Sequence, residues 1–192
     1  SAQNGSGILV IGGAPTLSNL VIKNNLSTGS DNDGGGAGLR INDLSSSITL
    51  TNVKFVGNSS NNGAKGTVVW FRPNGTNTIT FDRCAIYNNV NSSGGCGERG
   101  AIAGYPGDDL TLTFRNSIIH SNTSLHGFDI EGSGITLNII NSTIADNGCY
   151  ALRGYINGTI KNSIFYNNSS GSIIMTQGVN QTLTISYSDI EG

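Results

Sequence analysis

The chain has 192 residues, a net charge of −2 and 11% charged residues against 36% hydrophobic ones. That charged share is less than half of the ordinary ~25% and leaves no basic stripe for phosphates, and no run approaches eighteen apolar residues, so neither a nucleic-acid binder nor a membrane span is supported. One domain, 1–192, fits this length only with a narrow, continuous core, and Asn, Ser and Thr keep the surface soluble in place of charge.

At the N-terminus, Ser1-Ala2-Gln3-Asn4-Gly5 has neither a basic start nor an apolar run, so the chain reads as a mature protein or an excised piece of a longer one. The first element is Leu17-Ser18-Asn19, followed by Ile22 and Asn25. The same unit, apolar-x-Asn-x-x-apolar-x-x-Asn, returns from Leu50, Phe81, Phe114, Ile139, Ile160 and Ile185, with Arg83 and Tyr187 in place of the first Asn in two copies. The leading residues stand 33, 31, 33, 25, 21 and 25 positions apart. Such self-similarity marks a solenoid, here of about seven coils. Within each copy, triplets such as Ile48-Thr49-Leu50, Ile79-Thr80-Phe81 and Leu112-Thr113-Phe114 alternate with the period of a half-buried strand, and no helical period appears.

Asn tolerates left-handed backbone and turns the chain, so Asn19, Asn52, Asn116, Asn141 and Asn162 are expected to form an internal amide ladder at one corner, with Asn25 to Asn168 at the next. Polar, Gly-rich inserts follow that second corner at Ser27 to Gly35, Ser59 to Lys65 and Asn91 to Arg99, and shrink after the fourth coil. A third strand then starts near Gly36, Gly66, Gly100, Gly127 and Gly171, which makes three strands per coil. The three cysteines, Cys84, Cys96 and Cys149, lack metal-ligand spacing, and at most one intrachain disulfide can form, with Cys84–Cys96 the favoured pair.

With these residues in view, the chain resembles the pectate-lyase-like right-handed parallel β-helices. It looks closest to bacterial surface repeats of the polymorphic outer-membrane-protein type. Phe55-Val56-Gly57-Asn58 and Phe165-Tyr166-Asn167-Asn168 carry the FxxN motif of that type, Ile22, Ile86, Ile119 and Ile144 its relaxed form, and Gly35-Gly36-Ala37 and Gly100-Ala101-Ile102 partial forms of its GGA-[ILV] motif. The ending Ser186-Tyr187-Ser188-Asp189-Ile190-Glu191-Gly192 is similar to a recurrent coil of large secreted β-helix proteins. The resemblance implies an all-β right-handed parallel β-helix, a secreted or cell-surface location and polysaccharide binding on an outer face.

Alternation along the third strands places Leu39, Ile41, Val69, Phe71, Ala103, Tyr105 and Ile130 inside. It places Arg40, Trp70, Gly104, Asp129, Glu131 and Arg153 outside, with Arg72 and His126 near the edges. Trp70 and Glu131 would then flank a gap of roughly 10 Å at Gly104, the scale of one sugar ring on an indole. The expected ligand-binding residues are therefore Trp70, Arg40, Arg72 and Glu131.

Asp129 and Glu131 share a strand face at the separation of an inverting carboxylate pair, and Arg153 or Arg40 could serve a lyase as base. Asp108-Asp109 resembles the paired aspartates of polygalacturonases without their companion motifs. Ser30-Asp31-Asn32-Asp33-Gly34 lacks the ligand series of a calcium loop and reads as a polar turn. His120 and His126 lack a nucleophile partner and read as surface residues. Neither a metal nor a cofactor is expected.

Thr16, Thr49, Thr80, Thr113, Thr159 and Thr184 form an outward column interrupted by Asn138, with a second column from Ser47 and Thr78 to Thr182, as in ice-binding solenoids. The leading expectation is a structural or adhesive surface module with weak glycan recognition. A polysaccharide lyase or glycoside hydrolase on the Asp129/Glu131 face and an ice binder are the alternatives. The repeat carries no cap at either end, so end-to-end self-association is expected as well.

Overall fold

A computed structural model describes residues 7–29, 35–44, 46–61, 65–72, 75–97, 99–105, 109–132, 134–176 and 181–192. The Ser30–Gly34 turn and Asp108 lie outside the described residues. Among the described residues the fold is all-β, without a helix, and its strand pairings are parallel. No helix is long and apolar enough to cross a membrane, which says nothing of strands.

Three sheets arise from the repeat. The first, the groove sheet, takes one strand from each repeat in chain order: Ile8–Ile11, Leu39–Asn42, Val69–Arg72, Gly100–Gly104, His126–Ile130, Leu152–Gly154 and Ile173–Met175. Twelve strands form the second. Its register holds one repeat above the next, as in Leu110–Arg115 lying residue for residue against Asn77–Asp82 and Ile135–Ile140. Ile48–Val56 runs through the corner at Asn52 and so joins both strand types of the repeat in this one sheet. The third, not foreseen from the alternation, is a ribbon of two-residue strands at Leu26–Ser27, Ser59–Ser60 and Val90–Asn91.

Between the sheets lies one contiguous core. Phe55, Phe71, Phe81, Phe114, Phe128 and Phe165 are each at most 1% exposed, and Phe114 meets Phe128 edge-on at 5.3 Å. The Thr columns lie in register, with Thr49, Thr80, Thr113, Asn138, Thr159 and Thr184 on successive strands of the twelve-stranded sheet.

The two Asn columns exchange the roles expected of them. Asn19, Asn52, Asn116, Asn141 and Asn162 adopt φ of 49° to 55° and are exposed. Left-handed backbone at this corner turns their side chains to solvent, where Asn162 Nδ2 donates to Asn141 Oδ1 and Asn141 Nδ2 to Asn116 Oδ1. Inside lies the other column, with Asn58, Asn89, Asn122, Asn147 and Asn168 buried. The amides of Asn58, Asn89, Asn122 and Asn147 each donate to the next Asn and to a main-chain carbonyl one repeat back, Asn168 donates to Ile144 O and Tyr166 O, and the Oδ1 atoms of Asn89, Asn122, Asn147 and Asn168 accept the main-chain N–H of the preceding Asn.

A second buried ladder went unread in the sequence. The N–H groups of Cys84, Ser117, Ser142 and Ser163 donate to Ser117, Ser142, Ser163 and Ser188 Oγ, at 2.8 to 3.2 Å. Its signal is the Asn-Ser pair at 116–117, 141–142 and 162–163.

The expected Cys84–Cys96 pairing is corrected. Cys96 bonds Cys149, 53 residues on, and Cys84 is a buried free thiol pushed up to about 11, chiefly by its burial. Cys84 cannot reach an insert because it heads the serine ladder with its Sγ directed at Leu50 O, 3.5 Å away.

Candidate functional site

The outer side of the groove sheet carries two parallel columns. Strand register puts Arg40, Trp70, Ala103, Asp129 and Arg153 side by side in the first. Two residues further along each strand stand Asn42, Arg72, Tyr105, Glu131, Tyr155 and Thr176. There the N–H groups of Tyr105, Glu131, Tyr155 and Thr176 each bond the carbonyl of the adjacent strand at 2.9 to 3.1 Å.

This arrangement corrects the alternation in the fourth strand by one residue. Gly104 lies inside and Tyr105 outside, half exposed at 51%, while Ala103 takes the outward place expected for Gly104. The cause is Phe71 on the neighbouring strand. A Cβ on Gly104 would sit 1.9 Å from Phe71 Cε2, so only glycine leaves room for that ring in the core.

Trp70 occupies the expected outward side, since Val69 and Phe71 join the core and the indole does not. It is nevertheless 1% exposed and cannot be the exposed platform expected. Main chain closes over it. A Cβ on Gly35 would lie 2.8 Å from Trp70 Cγ, and one on Gly66, at φ +58°, 2.8 Å from Cε3. The indole N–H has no hydrogen-bond partner among the described residues.

What remains accessible is a cleft of about 310 Å³ lined by Lys65, Tyr105, Glu131, Arg153, Tyr155 and Thr176. Tyr105 and Tyr155 stand one strand to either side of Glu131 and so about 10 Å apart. Lys65 Nζ lies 2.8 Å from Glu131 Oε2, Arg153 Nη1 2.7 Å from Asp129 Oδ1 and 3.7 Å from Glu131 Oε1. Asp129, Glu131 and Arg153 are thus brought together as expected, yet each carboxylate is already held by a cation, and Asp129 is 1% exposed. Arg40 and Arg72 line a separate pocket of about 290 Å³ with Asn42 and Asp43.

His126, expected at the surface, is 1% exposed beneath the insert that carries Cys96. Its Nε2–H donates to Gly97 O at 2.9 Å, Nδ1 accepts the Tyr150 N–H at 3.1 Å, and the ring stacks on Tyr150. Burial holds its pKa below the usual imidazole range, more strongly than the Gly97 bond raises it. His120 is half-buried and stacks on Tyr87, 5.2 Å between ring centres. Among the described residues no three metal-ligating side chains converge.

No family model matches the sequence, and neither a curated protein nor a solved structure matches it.

Proposed function

We propose that the chain is a right-handed parallel β-helix of about seven coils, acting outside the cell as a structural or adhesive module that holds a glycan weakly in the Tyr105–Glu131–Tyr155 cleft. The chain-order parallel pairing of every repeat with the next supports the β-helix. The Cys96–Cys149 bond supports an oxidising, extracellular location.

The observation that carries the glycan reading is the pair of tyrosines across one ion-paired carboxylate. Aromatic rings cover the apolar faces of a pyranose, while Glu131, Arg153 and Lys65 present an acceptor and donors at the height of its hydroxyls. An open cleft that covers one or two sugar rings gives a Kd on the order of 0.1–1 mM.

Binding is favoured over hydrolysis because Asp129, tied to Arg153 and closed to solvent, has no path to a water or a leaving group. A glycan array with the purified chain tests the reading. Retained binding in a Tyr105→Ala/Tyr155→Ala double variant would remove it, and turnover that disappears in Glu131→Gln would restore the hydrolase alternative.

A further inference from the structure

The strands between the Asn19 and Asn25 corners of each repeat show solvent a face unlike the groove. Ile22, Phe55, Ile86, Ile119, Ile144 and Phe165 point into the core, so the residues on either side of each point out. Register aligns those outward residues in two columns across seven strands, from Leu17–Lys23 to Asp189–Ile190. One column runs from Val21 to Asp189. The other runs from Lys23 to Glu191, which stands beside Tyr166 because its N–H bonds Phe165 O. Every position in both columns is a described residue.

Charge is confined to the two ends of this face. The four middle strands carry no Lys, Arg, Asp or Glu in either column, and Ile164 and Tyr166 there are 47% and 58% exposed. Lys23 and Lys54 are exposed at one end and form no ion pair among the described residues. Asp189 and Glu191 are exposed at the other. In the flanking corner columns Arg83 is spent on Asp82, and Asp146 adds to the acidic end.

We propose that this face binds a second copy of the chain, about a two-fold axis lying in the interface along Ile118–His120, the fourth of the seven strands. That rotation reverses the order of the strands and keeps each column opposite itself. Lys23 then meets Glu191 of the second copy, and Lys54 lies over Ile164 beside Asp189. Val56 covers Tyr166, and Ile118 meets its own counterpart at the axis. A two-fold running across the strands would instead set the lysines on lysines and the carboxylates on carboxylates, so charge selects the first arrangement. The face spans about 29 Å across the strands and about 10 Å along them, roughly 300 Å² per copy in projection. A standard interface takes ~800 Å² per partner, so this dimer is a transient one, with a Kd on the order of 10–100 µM. It uses the twelve-stranded sheet and not the groove sheet, and so does not depend on the glycan cleft.

Sedimentation equilibrium of the full chain at low salt, over about 5 to 500 µM, should show the mass rising from one chain toward two and no further. Near 0.5 M salt the association should weaken severalfold. Lys23→Glu/Lys54→Glu should stay monomeric, and so should Asp189→Lys/Glu191→Lys, since each presents like charges at both ends of the face. An equimolar mixture of the two should dimerise again, because unlike ends then meet. Glu191 also holds the Asn167 N–H, so Tyr166→Ser, at an exposed position, provides a variant that leaves that bond alone and should weaken the dimer severalfold with its Tm unchanged. A wild-type chain that stays monomeric throughout, reversed chains that associate as wild type does, a mixture that stays monomeric, or growth beyond two chains would each overturn the proposal.

Discussion

Removal of one buried amide tests whether the second Asn column holds the repeats together. In Asn122→Ala the Nδ2 bonds to Asn147 Oδ1 (2.9 Å) and Ile86 O (3.1 Å) disappear. With them go the bonds that Asn122 Oδ1 accepts from Asn89 Nδ2 (2.8 Å) and the Asn89 main-chain N–H (3.1 Å). Asn89 Nδ2 keeps Phe55 O and Tyr87 O, and Asn147 Oδ1 keeps the N–H of residue 122. One buried group is therefore stranded, the Asn89 N–H, because Ile86 O stays in the ladder between Ala85–Tyr87 and Ile118–His120. At ~1–3 kcal/mol the loss is about 2 kcal/mol, or roughly 4–8 °C in Tm for a chain of this size. Asn141→Gly, in the exposed column, gives up only solvent-facing bonds at a φ of 49° that glycine adopts freely, and should cost under about 1 kcal/mol. Urea melts of the two variants decide the matter. Equal losses, or a larger one for Asn141→Gly, would refute the assignment of the buried ladder.

Peptide mapping should recover Cys96 linked to Cys149, and Cys96→Ser/Cys149→Ser should lose about 4 kcal/mol by the chain-entropy estimate for a loop of 53 residues. Native Cys84 should resist alkylation because burial keeps its thiol protonated, and rapid labelling would contradict that placement. For His126, the folded pKa lies below the ordinary ~6.5, so the unfolded chain takes up the proton first as pH falls. Stability from this group should be complete above pH ~6.5 and decline below it, and a Tm–pH profile with the same slope in His126→Gln would show that another group is responsible. Gly104→Ala should cost ~1–3 kcal/mol through its clash with Phe71, and Phe71→Leu should recover part of that in the double variant, an outcome that simple additivity would refute. Acrylamide should quench Trp70, the single tryptophan, poorly, and efficient quenching would mean that the indole is exposed after all.

Much of this architecture was legible because each repeat presents the same faces. Ile79, Phe81, Leu112 and Phe114 alternate with Thr80 and Thr113, and their strands follow. Trp70 shows where such reading stops. Period-two alternation says which side of a strand a residue takes, and it took the right side, but the cover over the indole comes from Gly35, at the end of an insert with no period, and from Gly66, just past the next insert. Gly104 failed for a different reason. A residue without a side chain gives alternation no sign, and the space it vacates is claimed by Phe71, a contact between strands more than thirty residues apart. The two Asn columns look alike as letters, and only the left-handed φ of the first separates them. Cys96 finds Cys149 across two repeats, a proximity created by stacking and invisible to spacing along the chain.

Lys65, which closes one side of the cleft, belongs to an insert and not to the repeating frame. The frame itself can be as short as the 21 residues between Asn147 and Asn168, and both ladders run through it without touching the inserts. Insert length and composition are therefore free to diversify while the stacked repeats keep their register, so that one scaffold can carry differently shaped rims. The insert holding Cys96 is the exception, because its bond to Cys149 freezes that rim across two repeats. Exchange of the Ser59–Lys65 insert should reshape the cleft, whereas exchange of the cross-linked one should change whether the stacked repeats fold.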